Sequence, residues 1–318
     1  MGDIVLTTPV IRCAHQQAEA EVHVVVKKAF ASLLQNNPHV HQVHTYDGDF
    51  AALVQTLKGL NVDIVIDLHN SLRSKRLRRA LKCPKTAVVR KFSLQKWLFS
   101  DFRINLLPDT HVVEKYFAAA AKTGISNDGM GCEIFLTPAE TDEISRVYPQ
   151  FNSQKWIALV IGAAHNGKRT PVEKWKAIIP LLQAPIVLIG GAEDREMAAE
   201  IEQAFPQVLN TAGLHSIRQS AGIIAQAAAV IANDTGMMHV AAAFHKPVIS
   251  LWGQTVPQFG MYPYMPGKGS AIIQPTVPGR RRISKLGNKR ERVPHQMTYL
   301  DAEAIAQAAN SALGLHSK

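Results

Sequence analysis

The chain has 318 residues, 47% hydrophobic and 7% aromatic, which suits two well-cored domains of ordinary size. No apolar run approaches the roughly 20 residues of a membrane-spanning helix, and three scattered cysteines (Cys13, Cys83, Cys132) exclude a disulfide framework and a cysteine metal site. The balance of 35 basic against 25 acidic residues leaves a net charge of +10, which favours anionic partners.

In chain order, Gly2-Asp3-Ile4-Val5-Leu6-Thr7-Thr8-Pro9 reads as a loop running into a helix, with no strand before it. It offers no basic head or apolar run of a signal peptide, so a cytoplasmic protein is expected. Val22–Lys27 reads as a strand, Ala29–Gln35 as a helix, His41–Tyr46 as a strand and Phe50–Leu57 as a helix. VDIVIDL at 62–68 is the clearest buried strand of this half, followed by a helix around Leu72–Leu81, a strand at Thr86–Val89 and an amphipathic helix at His111–Lys122. Such alternation predicts a parallel, doubly wound sheet. Thr123–Asn152, rich in glycine, reads as the connection between a first domain (1–150) and a second (151–318).

Between Arg73 and Lys96 stand ten basic residues and no acidic one, with Arg73, Arg76 and Arg79 on the predicted helix. A second cluster comprises Arg280, Arg281, Arg282, Lys285, Lys289, Arg290 and Arg292. These patches suit nucleic acid, anionic lipid headgroups or phosphorylated substrates; a solvated basic face would explain them too.

The second half repeats the α/β pattern. Strands are expected at Trp156–Ile161, Ile186–Ile189, Val208–Asn210, Val230–Ala232 and Val248–Leu251, and helices at Glu173–Leu182, Asp194–Phe205, Ile217–Ala228 and Met237–Phe244. In the Pro-, Gly- and Arg-rich tail only Ala271–Gln274 is strand-like, and Asp301 caps a final helix at Ala302–Leu313.

Three strand-end loops carry candidate chemistry. Asn233-Asp234-Thr235-Gly236 follows a strand and opens a small-residue helix, so it lies at the carboxyl edge of a parallel sheet, where open α/β folds bind ligands. Free N–H groups at the helix end suit a phosphate there, although Asp234 could simply cap the helix. An aspartic protease is excluded, because that fold is all-β and needs a second carboxylate, and no second Asp-Thr-Gly exists. Gly162–Arg169 offers Lys168 to a leaving diphosphate, but it is no Walker A loop because the match breaks at Arg169. Gly190-Gly191-Ala192-Glu193-Asp194 places a carboxylate where ribose hydroxyls are commonly held, or where a helix is capped. No Gly-x-Gly-x-x-Gly follows a strand, so an NAD or FAD site is unsupported. In the first half, Asp3 could take a proton from an incoming hydroxyl, and His111 and Glu114 could pair one helical turn apart. His165, His239 and His245 show no metal-ligand spacing, and no metal is expected.

GDIVLTTPVIR at the start, DIVIDL at 63–68, GKRTPVEKW at 167–175, GGAED at 190–194 and DTGMMHVAAAFHKPVISLWG at 234–253 together resemble the lipopolysaccharide heptosyltransferases, glycosyltransferase family 9. The resemblance runs in order from residue 2 to about residue 260. It implies a GT-B fold of two Rossmann-like domains facing a cleft, and inverting transfer of a sugar, typically heptose from ADP-heptose, onto a lipid-linked, phosphorylated core saccharide at the inner membrane face. It implies Asp3 as general base and Lys168 on the sugar and departing phosphate. Glu193 would hold the ribose and Asp234 the sugar hydroxyls, while Thr235, Gly236 and His239 take the diphosphate. Arg73, Arg76 and Arg79 would face the anionic acceptor or the membrane. No cofactor beyond the nucleotide-sugar substrate is implied. The chain departs from the family at Ala163-Ala164, where hydroxyl residues often assist the donor phosphate. It departs again at Met1-Gly2, where a buried strand normally leads into the Gly-Asp loop, so a first domain lacking its first strand is expected. The alternative is a catalytically impaired relative that binds nucleotides or nucleic acid. Against it, aromatic residues near the basic clusters are sparse apart from Phe92, Trp97 and Phe99, and no nucleic-acid partner is expected.

Overall fold

The structure, a computed structural model, describes residues 1–289 and 295–315, so Arg290 and Arg292 of the second basic cluster lie outside the described residues. In the first half, β1 (His23–Lys27) pairs in parallel with β2 (Gln42–Tyr46), and β3 (Ile64–Asp67) with β4 (Lys85–Val88). Among the described residues no strand joins these two pairs into one sheet. A strand with a single neighbour buries less of itself: only Val26 of β1 and Asp67 of β3 are buried.

Three local expectations change. Gly2–Val5 is already a helical turn rather than a loop, because burying both Val5 and Leu6 coils the chain before the Thr8–Ala18 helix opens on Pro9. Lys28–Leu34 is a 3-10 helix, a tighter turn that buries the consecutive Leu33 and Leu34. The expected connection contains a helix, Pro138–Val147. Its start is a capping box, with the Thr137 N–H donating to Glu140 Oε2 at 2.7 Å and the Glu140 N–H donating to Thr137 Oγ1 at 3.3 Å. This helix packs on the Ile217–Gln226 helix of the second half. There Arg218 pairs with Glu140 and donates to the Ser32 and Phe135 carbonyls at 2.8 and 2.9 Å.

The second half is built on one six-stranded parallel sheet: β5 (Ile157–Val160), β6 (Ile186–Ile189), β7 (Leu209–Asn210), β8 (Ala229–Asn233), β9 (Val248–Leu251) and β10 (Ala271–Ile273). Every residue of β5, β6, β8 and β9 is buried, which explains their unbroken Val, Ile, Leu and Ala runs. The spatial order β10-β9-β8-β5-β6-β7 reverses direction between β5 and β8, and that reversal opens a crevice at the strands' carboxyl ends. One face of the sheet packs on Trp175, Ile178, Ile201 and Ile305. The other continues into an apolar cluster that runs through Val160, Val230 and Met238 to Tyr116, Phe117, Leu6 and Val5 of the first half. A shared core therefore joins the halves below the crevice.

Candidate active site between the two halves

A cleft of about 880 Å³ lies at the carboxyl ends of β5, β6 and β8 and is closed on its far side by the first half. Asn233, fully buried at the end of β8, ties its walls together. Its side chain donates to the Ile161 carbonyl at 2.8 Å and accepts from Thr170 Oγ1 at 2.6 Å, fixing the ends of the loop after β5.

Beyond Asn233 the chain turns through Asp234 and Thr235 into the Gly236–Ala243 helix, and no side chain caps that helix. Thr235, Gly236 and Met237 line the cleft, and an uncapped helix start suits an anion. Asp234 is not the cap; its Oδ2 lies 2.7 Å from Lys168 Nζ, both side chains being mostly buried. The sequence-predicted phosphate and sugar residues are thus brought into direct contact with each other.

The ambiguity at the loop after β6 resolves cleanly. Asp194 is buried, accepts the Gly191 N–H at 2.8 Å and pairs with Arg169 at 2.9 Å. Burial raises its pKa above the usual carboxylate value. Its seat exists because residue 162 has no side chain: a Cβ there would stand 2.2 Å from Asp194 Oδ2. Glu193 is exposed and lines the cleft.

Asp3 lies on the opposite wall, exposed on the Gly2–Val5 turn. Its position depends on close approach of the halves. A Cβ on Gly2 would meet His239 Cδ2 at 2.6 Å, and one on Gly236 would meet the Met1 side chain at 2.6 Å. His239 is buried and its pKa falls to about 3, through desolvation first and the nearby His111 second. It faces the cleft as a neutral imidazole, which can still donate a hydrogen bond to a bound group.

His111 and Glu114 do not pair with each other. His111 Nδ1 accepts the Val113 N–H at 3.1 Å, capping the Val112–Ala120 helix, and its Nε2 donates to the Tyr262 carbonyl at 2.8 Å. Burial lowers its pKa to about 4. Glu114 accepts from Tyr264 and Asn127 instead. Both residues stitch the first half to the 260–264 segment of the second.

Arg73, Arg76 and Arg79 are exposed on the Leu72–Leu81 helix and do not line the cleft. Arg73 stacks over Tyr46 and Arg76 over Phe50, at 4.5 and 5.0 Å from the ring centroids. The first-half cations that do line it are Arg90, Lys91, Lys96 and Lys115. Lys96 is held down to about pKa 8, by burial first and by Lys115 second. Lys115 Nζ is buried without a hydrogen-bond partner among the described residues. The sequence signal for Lys96 and Lys91 was the basic run itself, while Lys115 stood unmarked on an amphipathic helix.

Two α/β halves around a cleft, with an uncapped helix end and a lysine at the switch point of one and a carboxylate on the other, define a GT-B glycosyltransferase. Glycosyltransferase family 9 (heptosyltransferase) matches residues 50–278, and the chain belongs to that family. It is 29% identical over 180 residues to lipooligosaccharide heptosyltransferase 2 of Haemophilus influenzae, a match covering 51% of this chain and about half (52%) of the relative. It is 25% identical to lipooligosaccharide heptosyltransferase 2 of Haemophilus ducreyi, covering 98% of this chain and 97% of that one. Among solved structures, a family 9 glycosyl transferase from Veillonella parvula superposes with a TM-score of 0.76 at 22% identity, over 98% of this chain and 94% of the other. An E. coli heptosyltransferase with ADP gives 0.69 at 22%, over 98% and 96%. These likenesses share the GT-B architecture. The family match begins at residue 50 and does not reach Asp3.

Proposed function

We propose that the protein transfers heptose, with inversion, from a nucleoside-diphosphate heptose such as ADP-heptose onto a phosphorylated, lipid-linked core saccharide. One observation carries this reading: the uncapped amides at Thr235 and Gly236 share a cleft with Lys168 on one side and Asp3 on the other. The carboxylate of Asp3 takes the acceptor hydroxyl's proton as that oxygen attacks the anomeric carbon. The bond from this carbon to the diphosphate oxygen breaks on the opposite face, and the configuration inverts. Charge arriving on the leaving diphosphate meets the helix amides and the Lys168 ammonium, which are already in place. Asp234 orients Lys168 and reaches the sugar hydroxyls, and Glu193 takes the ribose. His239, a neutral imidazole in the cleft wall, donates a hydrogen bond to the diphosphate. The donor reading extends the family membership and the ADP-bound structural neighbour.

The acceptor reading rests on Lys91, Lys96, Lys115 and Lys285, which present positive charge along the cleft wall, as an anionic saccharide requires. Contact with an anionic membrane is supported by a different stretch, where Leu94, Trp97, Phe102, Ile104 and Leu106 are exposed, and by the exposed Arg73, Arg76 and Arg79. Aromatic and aliphatic side chains beside cations suit the headgroup region. Among the described residues no helix is long and apolar enough to cross a membrane.

Calorimetric titration with ADP tests the donor half of the proposal. Binding is expected in the wild-type chain and at least about tenfold weaker in Lys168→Met, given the strength of charge-assisted contacts; absence of ADP binding would refute it. Co-sedimentation with phosphatidylglycerol vesicles tests the membrane contact, with Trp97→Ser plus Leu94→Ser expected to reduce the bound fraction severalfold. Equal sedimentation of variant and wild type would remove that contact from the account.

A further inference from the structure

Away from the cleft, Glu21, His23 and His41 each bring one ligand atom within 4.8 Å of the other two. The three come from the openings of two adjacent strands. Glu21 and His23 straddle the entry to β1, and His41 directly precedes β2, where its N–H donates to the Val22 carbonyl at 2.9 Å. A third imidazole stands behind them. His44, buried within β2, places its Nε2 3.0 Å from His23 Nδ1.

We propose that Glu21, His23 and His41 form a binding site for a borderline transition-metal dication of the zinc type, clipping the open ends of β1 and β2 together. Two imidazoles and one carboxylate are a donor set for zinc, cobalt or nickel, whereas magnesium and calcium take oxygen ligands. His44 engages His23 Nδ1, so His23 presents Nε2 to the metal, the arrangement in which an outer hydrogen bond orients a ligating imidazole. Metal binding would draw the three donors to about 3.4 Å, the separation that bonds of ~2.1 Å give at a tetrahedral angle. Glu21 and His41 are exposed, and the His23 and His41 rings already lie with centroids 5.1 Å apart. The fourth position opens to solvent and takes water.

The site has a structural use. Among the described residues β1 and β2 form a two-stranded sheet of their own, and such a pair is marginal on its own. The segment between them carries Phe30, which lines the cleft, and the Ser32 carbonyl, which Arg218 of the second half grips. A metal at the strand openings steadies this element without touching the reacting groups, since none of its three ligands lines the cleft. The periodicities used to seek metal ligands pass over it, because residues 21, 23 and 41 meet only through parallel pairing of β1 with β2.

The test is calorimetry of the full chain, free of any histidine tag, titrated with ZnCl₂ and separately with MgCl₂, with CoCl₂ added to read the ligand field. One zinc per chain is expected, with visible d–d absorption from cobalt, a raised Tm in zinc and no magnesium isotherm. Glu21→Gln combined with His41→Asn, both exposed positions, should weaken zinc by at least about tenfold and abolish the Tm rise. His44→Gln should weaken it less. His15→Asn with His39→Asn alters the other close imidazole pair, whose ring centroids are 5.4 Å apart, and should leave the isotherm unchanged. An unaltered zinc isotherm in the Glu21→Gln/His41→Asn chain, or no zinc binding at micromolar concentration, overturns the proposal. The metal-free Tm of each variant, expected near that of the metal-free wild type, separates loss of the site from loss of the fold.

Discussion

The two halves of this molecule alternate strand and helix in much the same way but solve the burial problem differently. In the second half four central strands are buried along their whole length, and the loops at their ends are pinned by buried polar contacts such as Asn233 with Thr170. In the first half four strands make two separate pairs and stay largely half-buried. The second half is therefore the better-cored frame. The first half leans on it for its order, through Arg218, His111 and the apolar cluster around Val5, Leu6 and Tyr116. Under the proposed function the diphosphate is held by the better-cored half, while the bulky saccharide comes and goes along the less regular one.

The sharpest way to break this contrast is core truncation. Trp175→Ala removes a fully buried indole behind the second sheet and should cost about 3–5 kcal/mol, as large-to-small core changes do. Ile64→Ala, on a half-buried strand of the first half, should cost under about half as much, since less area leaves water. Both are read from urea unfolding midpoints with unchanged m-values. Equal losses would show that the first half is as well cored as the second.

The contrast was only partly legible in the sequence. Unbroken runs such as IALV and IVLI told of doubly buried strands, and the turn at Asp234-Thr235-Gly236 was placed correctly at a sheet edge. The helix at Pro138–Val147 hides in the sequence although Thr137 and Glu140 carry the capping-box spacing, because Gly124, Gly129 and Gly131 ahead of it read as a linker. The buried seat of Asp194, whose side chain takes the Gly191 N–H and Arg169 rather than capping the next helix, and the cleft exposure of Glu193 are not separable by pattern, since both carboxylates follow the same glycine pair. Gly162 decides it, and only close packing reveals that. Arg73, Arg76 and Arg79 were singled out by charge density, yet it is Lys91, Lys96 and Lys115 that topology brings to the cleft. Charge runs report how many cations there are, not which wall they face.

A smaller effect sharpens the acceptor side. Lys96 has a folded pKa near 8, below the ordinary lysine value, so it is a cation below pH 8 and neutral above it. With the unfolded value higher, the folded state binds fewer protons between pH 8 and the ordinary lysine range, and stability rises with pH across that window while the anion-binding charge is lost. The KM for an anionic acceptor should rise as pH passes upward through about 8. Lys96→Met should raise KM at pH 7 by roughly tenfold, the value of one charge-assisted contact, and flatten that arm of the profile. A Lys96→Met chain with an unchanged pH profile would place the acceptor elsewhere.

In the proposed division of labour the second half grips the activated sugar and the first supplies the base. Asp3→Asn keeps the shape and removes the proton acceptor, so transfer from ADP-heptose should fall by about 10²–10⁴-fold while ADP affinity by calorimetry stays within about twofold of wild type. Turnover that survives the substitution, or donor affinity that collapses with it, would contradict the assignment of Asp3 and the division drawn between the halves.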